Sequence, residues 1–137
     1  MIAEILLTCA LLSPLTPADI SEYFICKERN EIVYDMRKYI PMFSMYFKEE
    51  DIEKALRITW CESKGKIDAV GINKDGTKDI GLWQFNDNTW NWLKDKLKIT
   101  SSRTNAHIST IVASWLVYND GWFHWNSSKH CWNIPNQ

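Results

Sequence analysis

The sequence predicts an α+β fold, in which a mostly helical domain carries one small antiparallel β-hairpin. Ile52, Ala55, Leu56 and Thr59 recur at i, i+3, i+4 and i+7, and an apolar set with the same spacing returns within residues 108–116, as on one face of an α-helix. Between these segments, Asp75-Gly76 is a strong signal for a hairpin turn. The length of 137 residues suits one domain with its own core.

The composition excludes several classes of protein. The formal net charge is −1, whereas a nucleic-acid-binding protein needs a basic face to neutralise phosphates, so nucleic acid is not an expected partner. The four cysteines form no C-x-x-C pair, and we expect no zinc site, no other metal and no cofactor. Eight tryptophans are many for this length. We expect most of them in the core and two or three against a ligand.

Residues 1–18 have two interpretations. An apolar run at residues 5–12 precedes two prolines and Ala18, the order found in secretory signal peptides, although the start carries no positive charge. Either residues 1–18 are a signal peptide or signal-like segment and the domain comprises residues 19–137, or they include an ordinary buried helix. The apolar run is too short to span a membrane.

A first helix is predicted from about Ile20 to Met36. Asp19, with Glu22 three residues later, fits an N-cap and capping box, and Pro41 is expected to end the helix. If residues 1–18 are removed, Cys26 lacks an obvious partner and is expected to be a buried free thiol. If all four cysteines remain, they can pair in three ways.

The next helix is predicted to carry a functional acid at its end. Acidic residues crowd its first turn at positions 49–51, where the helix dipole favours them, and Gly65 is a suitable stop. Glu62 then falls in the last turn, among aromatic neighbours. The negative end of the dipole and the exclusion of water both raise the pKa of a carboxyl group, as a general acid requires.

Two short strands are predicted on either side of the hairpin turn, at residues 70–72 and 80–82. Asp79 would belong to the second strand and face the end of the helix that carries Glu62. In glycosidases, one carboxylic acid protonates the leaving oxygen while a second carboxylate acts on the other side of the sugar ring. Glu62 and Asp79 therefore suggest acid–base chemistry on a sugar linkage.

Two further helices are predicted after the hairpin. Asn86 or Asp87 can cap the first of them, and Thr100 and Ser101 can cap the second. The second carries a strong apolar stripe, which predicts a central buried helix that ends at Gly121. The stripe consists of Ile108, Ile111, Val112, Trp115 and Leu116.

The segment from Glu62 to Asn86 resembles, without a gap, the active-site segment of the animal (c-type) lysozymes. The matching positions are Glu62-Ser63, Ala69, Asn73, Asp75-Gly76, Asp79, Gly81, Gln84 and Asn86. A wider pattern over about residues 50–132 is similar to the resuscitation-promoting factors and soluble lytic transglycosylases of the lysozyme-like superfamily. That pattern consists of Cys61-Glu62-Ser63, Gly81 to Phe85, Thr89-Trp90, Tyr118 to Trp122, Trp125 and Cys131.

The resemblance implies a lysozyme-like fold with the hairpin beside an active-site cleft, and it implies a role for each matched residue. Glu62 would be the general acid on the glycosidic oxygen. Asp79 would be the nucleophile or the electrostatic stabiliser of the oxocarbenium-like centre. Gln84 and Asn86 would line the cleft and contact an N-acetyl sugar. These roles come from the family and not from the residue pattern alone.

Five further residues are candidates for contact with the sugar. Tyr118 and Asn119 belong to a Tyr-Asn-x-Gly run that resembles one in the transglycosylases. The candidate cleft aromatics are Trp83, Trp122 and Trp125, and Trp125 is the candidate for an apolar wall beside the catalytic acid.

The resemblance to the resuscitation-promoting factors also implies a disulfide between Cys61 and Cys131. The other disulfides of lysozymes have no counterparts here, and Ile80 replaces an aromatic residue, which favours the bacterial and phage members over the animal ones. The histidines at positions 107, 124 and 130 are expected to be ordinary solvated or hydrogen-bonded residues. A nucleophilic Cys61 with one of them as its base is a weaker alternative.

The sequence thus predicts a peptidoglycan-degrading glycosidase, a muramidase that cleaves the β-1,4 bond between N-acetylmuramic acid and N-acetylglucosamine with Glu62 and Asp79. The alternatives are a lytic transglycosylase that uses Glu62 alone and a sugar-binding module of the same fold without turnover. The expected partner is the glycan strand of peptidoglycan. The expected protein is a monomer that is secreted or faces the cell envelope, or that reaches the wall as a phage endolysin or virion-associated enzyme.

Overall fold

The computed structural model describes Cys9 and residues 16–134, and this part of the chain has the predicted α+β fold. It contains six α-helices and a three-stranded sheet. The helices are α1 (Pro17–Asp35), α2 (Ile40–Tyr46), α3 (Glu49–Ser63), α4 (Asp87–Leu97), α5 (Ala106–Asp120) and α6 (Lys129–Trp132). Two 3-10 helices, Arg37–Tyr39 and Trp122–Ser128, join α1 to α2 and α5 to α6. The strands are β1 (Val70–Ile72), β2 (Lys78–Ile80) and β3 (Phe85–Asn86).

The sheet is antiparallel in the order β1-β2-β3, and its register puts Asp79 at the centre. Asp79 pairs with Gly71 on one side and with Asn86 on the other. The second strand begins and ends two residues earlier than predicted. It stops at Ile80, because the chain leaves the sheet at Gly81. Gly81 has φ +92°, and a Cβ there would collide with the carbonyl oxygen of Arg103, so the position requires glycine.

The first helix begins one turn earlier than predicted. Its N-cap is Thr16, whose hydroxyl accepts a hydrogen bond from the backbone N–H of Asp19 at 3.1 Å. The Asp19 carboxylate accepts the backbone N–H of Thr16 at 2.9 Å, so Asp19 completes the capping box and is not the cap itself. Pro41 does not end the first helix but lies in the first turn of α2, because its fixed φ and missing N–H suit that position.

The caps and the buried face of α5 also differ from the prediction. Its N-cap is Asn105, whose side-chain oxygen accepts the N–H of Ile108 at 3.0 Å, and not Thr100 or Ser101. The helix ends at Gly121, as predicted. Its buried residues are Ser109, Thr110, Val112, Ala113, Ser114, Leu116 and Val117. Ile108, Ile111 and Trp115 of the predicted stripe are only half-buried.

An aromatic cluster joins the helices to the sheet in the core. The ring of Trp83 lies 5.5 Å from that of Phe43, 5.7 Å from that of Phe47 and 5.3 Å from that of Trp125. Trp83 is fully buried, and its indole N–H donates to the hydroxyl of Thr110 at 3.0 Å. The expectation that Trp83 faces a ligand is therefore wrong, since packing against these rings removes it from the surface.

Two disulfides tie the chain together. Cys61 is bonded to Cys131, which confirms the pairing that the resemblance implied. Cys26 is bonded to Cys9, so Cys26 is not a free thiol in the chain that retains residues 1–18. The sequence left this bond open, because a cleavage after Ala18 would remove Cys9. Except for Cys9 and residues 16–18, that segment lies outside the described residues. No helix of the described part is long and apolar enough to cross a membrane.

Candidate active site

Glu62 lies in the last turn of α3, as predicted. The helix ends at Ser63, and its C-cap is Lys64, which has the left-handed conformation with φ 55°. The neighbouring Ser63 donates its hydroxyl to the carbonyl oxygen of Leu82 at 2.8 Å, and the phenol of Tyr39 donates to the carbonyl oxygen of Gly65 at 2.5 Å. The first bond holds the end of α3 against the segment that follows the hairpin, and the second holds it against the first 3-10 helix. The backbone at Glu62 is therefore held in place.

The surroundings of Glu62 favour its neutral form. Burial raises the pKa of its carboxyl group above the ordinary value, and the negative charge of Asp79 raises the pKa further. One interaction opposes them, because the hydroxyl of Ser128 donates to Glu62 Oε1 at 2.7 Å and stabilises the charged form. The net direction is upward, so Glu62 keeps its proton to higher pH than an exposed glutamate.

Asp79 lies on β2 and is held by two amide groups. Asn73 Nδ2 donates to Asp79 Oδ1 at 3.0 Å, and Asn86 Nδ2 donates to the same oxygen at 2.9 Å. Both amides also donate to the hydroxyl oxygen of Thr77, which in turn donates to Asp75 Oδ1 at 2.6 Å. The hairpin thus presents Asp79 as a fixed hydrogen-bond acceptor, with Oδ2 left without a described protein donor.

Both carboxyl groups line one cavity between the sheet, α4 and the 3-10 helix at Trp122–Ser128. Its lining residues are Glu62, Asp79, Gln84, Phe85, Asn86, Thr89, His124, Trp125 and Ser127. Five of them, Glu62, Asp79, Gln84, Asn86 and Trp125, are predicted site residues. The two acids therefore face one space, and the negative charge of Asp79 is one of the causes that raise the pKa of Glu62.

Gln84 and Asn86 support the hairpin as well as line the cavity. Gln84 has a positive φ of 52°, and its side-chain amide donates to the carbonyl oxygens of Ala69 and Gly81 at 3.0 and 2.9 Å. Asn86 is the N-cap of α4, with its side-chain oxygen accepting the N–H of Asn88 at 3.1 Å. The donor hydrogens of both amides are therefore engaged within the protein.

Trp125 forms an apolar wall of the cavity. It is 3% exposed, and its indole N–H donates to the carbonyl oxygen of Trp83 at 3.1 Å. The same 3-10 helix brings His124 to the cavity, where its Nε2 lies 2.7 Å from Asp120 Oδ2. An apolar wall beside a carboxyl group excludes water, which is the physical cause of the raised pKa of Glu62.

Tyr118, Asn119 and Trp122 do not line this cavity. The phenol of Tyr118 donates to Asp51 Oδ2 at 2.7 Å, and burial raises its pKa to about 12. Asn119 Nδ2 donates to the carbonyl oxygen of Trp115 at 2.8 Å. Trp122 stacks on Phe47 with ring centroids 6.0 Å apart. Tyr118 thus joins α5 to α3, Trp122 packs the 3-10 helix on Phe47, and the bond of Asn119 stays within α5. The predicted contact of these three residues with a sugar stays a prediction.

Sequence reasoning missed several residues of the site. His124 and Ser127 come from a tail without a motif, and Thr89 was noted only as part of a pattern. Ser128 is separated from Glu62 by 66 positions, and no local spacing announces that contact. Asn73 carries a usable signal, because it belongs to the hairpin that holds Asp79. Among the described residues, no three His, Cys, Asp or Glu side chains are grouped so as to hold a metal ion.

A half-buried acid with a raised pKa and a second carboxylate on the same cavity are the kind of pair that glycosidases use. The comparison with protein families leads to the same class. Residues 43–127 match the family model described as the lysozyme-like domain. The match covers more than half of the chain, and the protein belongs to the lysozyme-like domain family, a family of peptidoglycan-acting glycosidases and transglycosylases. No curated protein matches the sequence.

Proposed function

We propose that this protein is a muramidase, which hydrolyses the β-1,4 bond between N-acetylmuramic acid and N-acetylglucosamine in peptidoglycan. Glu62 is the general acid and Asp79 is the second carboxylate. The observation that carries the proposal is the contrast between two carboxyl groups on one cavity. Glu62 is half-buried with a raised pKa, whereas Asp79 accepts two amide hydrogen bonds on one oxygen.

The reaction assigns one role to each acid. Neutral Glu62 donates its proton to the glycosidic oxygen as the bond from that oxygen to the anomeric carbon breaks. Asp79 stabilises the positive charge that develops at the anomeric carbon, either as a nucleophile or electrostatically. Water then adds to that carbon, and its proton returns to Glu62. The products are two shorter glycan strands, one with a new reducing end.

The protein is proposed to meet its substrate outside the reducing cytoplasm, in a secreted form or facing the cell envelope. Disulfides persist in oxidising compartments, and the described residues contain two of them. Arrival at the wall as a phage endolysin or virion-associated enzyme satisfies the same condition. The glycan strand is the proposed partner, bound by a monomer.

Mass spectra of digested peptidoglycan test the proposal. Purified oxidised protein is incubated with sacculi, and the soluble muropeptides are examined before and after borohydride reduction. Hydrolysis yields muropeptides with reducing ends, which borohydride reduces. Anhydro-muramyl ends in place of reducing ends would instead identify a lytic transglycosylase. Glu62→Gln is the control for contaminating activity.

A sugar-binding module without turnover is distinguished by a zymogram. The protein is run in a gel that contains bacterial walls and is then renatured with its disulfides reformed. A muramidase clears the walls at its own mass, whereas a pure binder sediments with walls and clears nothing. Sedimentation without clearing would contradict the proposed activity.

A further inference from the structure

We propose that Ser128 is a positioning residue for the catalytic acid, which directs the proton of Glu62 to the carboxyl oxygen that meets the substrate. The inference rests on the proposed function, because it concerns how the general acid delivers its proton. It assigns a role in the reaction to a residue of the C-terminal tail, which lies far from the hairpin and from α3 in sequence.

The hydroxyl of Ser128 contacts one oxygen of the Glu62 carboxyl group. Ser128 Oγ lies 2.7 Å from Glu62 Oε1, and this is the one hydrogen bond to the Glu62 side chain within the described part of the chain. A carboxyl oxygen that accepts the hydrogen bond from Ser128 cannot direct a proton of its own toward the same hydroxyl. When Ser128 donates its one proton to Oε1, the proton of neutral Glu62 is held on Oε2, the oxygen that the proposal assigns to the glycosidic bond.

The hydroxyl of Ser128 also has a second acceptor. Its oxygen lies 3.2 Å from the carbonyl oxygen of Trp125, and a hydroxyl carries one proton to donate. When Glu62 transfers its proton it becomes a carboxylate, and hydrogen bonds to charged acceptors are the shorter and stronger ones. Donation from Ser128 then stabilises the charge that forms on the acid during proton transfer.

The backbone holds Ser128 in this position from both sides. It ends the 3-10 helix that carries Trp125, and it precedes α6. Three residues later, Cys131 is bonded to Cys61, the residue immediately before Glu62. Glu62 and Ser128 therefore lie within one and three residues of the two cysteines of one disulfide, which holds their side chains close together.

The electrostatic balance at Glu62 supports the same role. Burial and the charge of Asp79 raise the pKa of Glu62, while the hydrogen bond from Ser128 lowers it. Asp79 on β2 and His124 on the 3-10 helix are the other titratable groups on this cavity in the described part of the chain. Removal of the hydroxyl leaves both in place, so a change in the titration of Glu62 reports on Ser128.

The test compares Ser128→Ala and Ser128→Thr with the wild-type protein on soluble peptidoglycan fragments. Ser128→Ala is expected to lower kcat about 10-fold with little change in KM, because the substrate is still bound while the proton is poorly directed. The alkaline limb of the pH–rate profile is expected to move to higher pH, since the hydrogen bond that lowers the pKa of Glu62 is gone. Ser128→Thr keeps a hydroxyl and is expected to restore both.

Ser114→Ala is the matched control. Ser114 lies on α5 away from the cavity, and its hydroxyl donates to the carbonyl oxygen of Ile111 at 2.7 Å, three residues earlier, just as Ser128 reaches back to Trp125. Its loss removes a serine hydroxyl from a similar local bond, and kcat and the pH profile are expected to stay as in the wild type. Near-UV circular dichroism verifies that each variant is folded.

A second readout separates this proposal from the proposed function. The pKa of Glu62 is measured by carbon-13 NMR of its carboxyl group, which requires no turnover, and it is expected to be higher in Ser128→Ala than in the wild type. An unchanged titration, or an unchanged kcat in folded Ser128→Ala, overturns the role of Ser128. Absence of muropeptide release by the wild-type protein would refute the proposed function, while the titration still tests the hydrogen bond.

Discussion

At the scale of single residues, Glu62 and Asp79 carry the same chemical group in different surroundings. Glu62 is half-buried against the wall formed by Trp125, and a single serine hydroxyl is its hydrogen-bond donor. Asp79 accepts amide hydrogens from both Asn73 and Asn86. These surroundings suit the two carboxyl groups to different roles, because burial favours the neutral form of Glu62, whereas Asp79 is held by two amide donors.

Glu62→Gln is expected to stabilise the fold at neutral pH. The folded-state pKa of Glu62 is raised, so its contribution to stability is fully present below the unfolded pKa and is lost as the pH rises through the folded one. Glutamine never ionises, and its Tm should exceed the wild-type value at about pH 8. The difference should shrink as the pH falls through the raised pKa of folded Glu62, and it should be gone below 4.5, the ordinary value for this group. Calorimetry at both pH values measures it, and a Tm difference that is independent of pH would contradict the burial argument.

Asp79→Asn is expected to lower the pKa of Glu62, because the charge of Asp79 is one of the causes that raise it. Asparagine keeps the size of the side chain but removes the negative charge. Carbon-13 NMR of the Glu62 carboxyl group measures the change. Asp95→Asn, which removes an exposed acid from α4, is the control and should leave the titration unaltered. Equal titrations in Asp79→Asn and the wild type would mean that the two acids do not interact.

At the scale of elements, the end of α3 is fixed from three directions. Ser63 joins it to the segment after the hairpin, Tyr39 joins it to the first helices, and the Cys61–Cys131 disulfide joins it to the tail. Arg57 on the same helix also donates to the carbonyl oxygen of Trp132 at 2.9 Å. The acid therefore moves little relative to the hairpin that carries Asp79.

The two disulfides are expected to differ in their effect on activity. Cys61→Ser with Cys131→Ser opens a link across 70 positions, which is worth about 4 kcal/mol in the chain-entropy model. Cys9→Ser with Cys26→Ser opens a link across 17 positions, worth about 3 kcal/mol. Denaturant unfolding measures both losses.

Peptidoglycan turnover by these two double variants separates positioning from stability. Under conditions where both variants remain folded, the first should lose most of its activity, because it frees the tail that holds Ser128 against Glu62. The second should retain activity, since Cys9 and Cys26 lie away from the cavity. Equal activities would show that the Cys61–Cys131 link does not position the acid.

Local patterns predicted the elements better than their ends. The apolar spacing in α3 is regular, and the acids of its first turn suit the dipole, so this helix and the place of Glu62 follow from the sequence. The start of α5 does not, because Thr100, Ser101 and Asn105 are all able to cap a helix. Only the bond from the N–H of Ile108 to Asn105 selects among them.

At the scale of the whole molecule, the C-terminal tail packs beside Glu62, the proposed general acid. Trp125, Ser128 and Cys131 each contact the region of α3 or the core segment after the hairpin. The family resemblance predicted that Trp125 and Cys131 lie near Glu62. Ser128 was not predictable, because a contact between residues so far apart in sequence leaves no periodic pattern. Trp83 failed as a cleft residue for the same reason, since its burial depends on rings from α2 and the tail.

The disulfide between Cys9 and Cys26 bears on the two interpretations of residues 1–18. Processing after Ala18 would remove Cys9 from the polypeptide and leave Cys26 without its disulfide partner. Ala18 itself lies in the first turn of α1, just after the Thr16 cap. The disulfide therefore belongs to a chain that retains Cys9, and the two interpretations of residues 1–18 differ in whether Cys26 is oxidised.

The most direct measurement of the central claim is the turnover number of Glu62→Gln and of Asp79→Asn on defined peptidoglycan fragments, with the wild-type protein alongside. We predict that both variants stay folded and that each loses at least about 100-fold in kcat, because proton donation and stabilisation of the sugar cation are both required. A nearly unchanged kcat in Asp79→Asn, beside an inactive Glu62→Gln, would contradict the two-carboxylate mechanism.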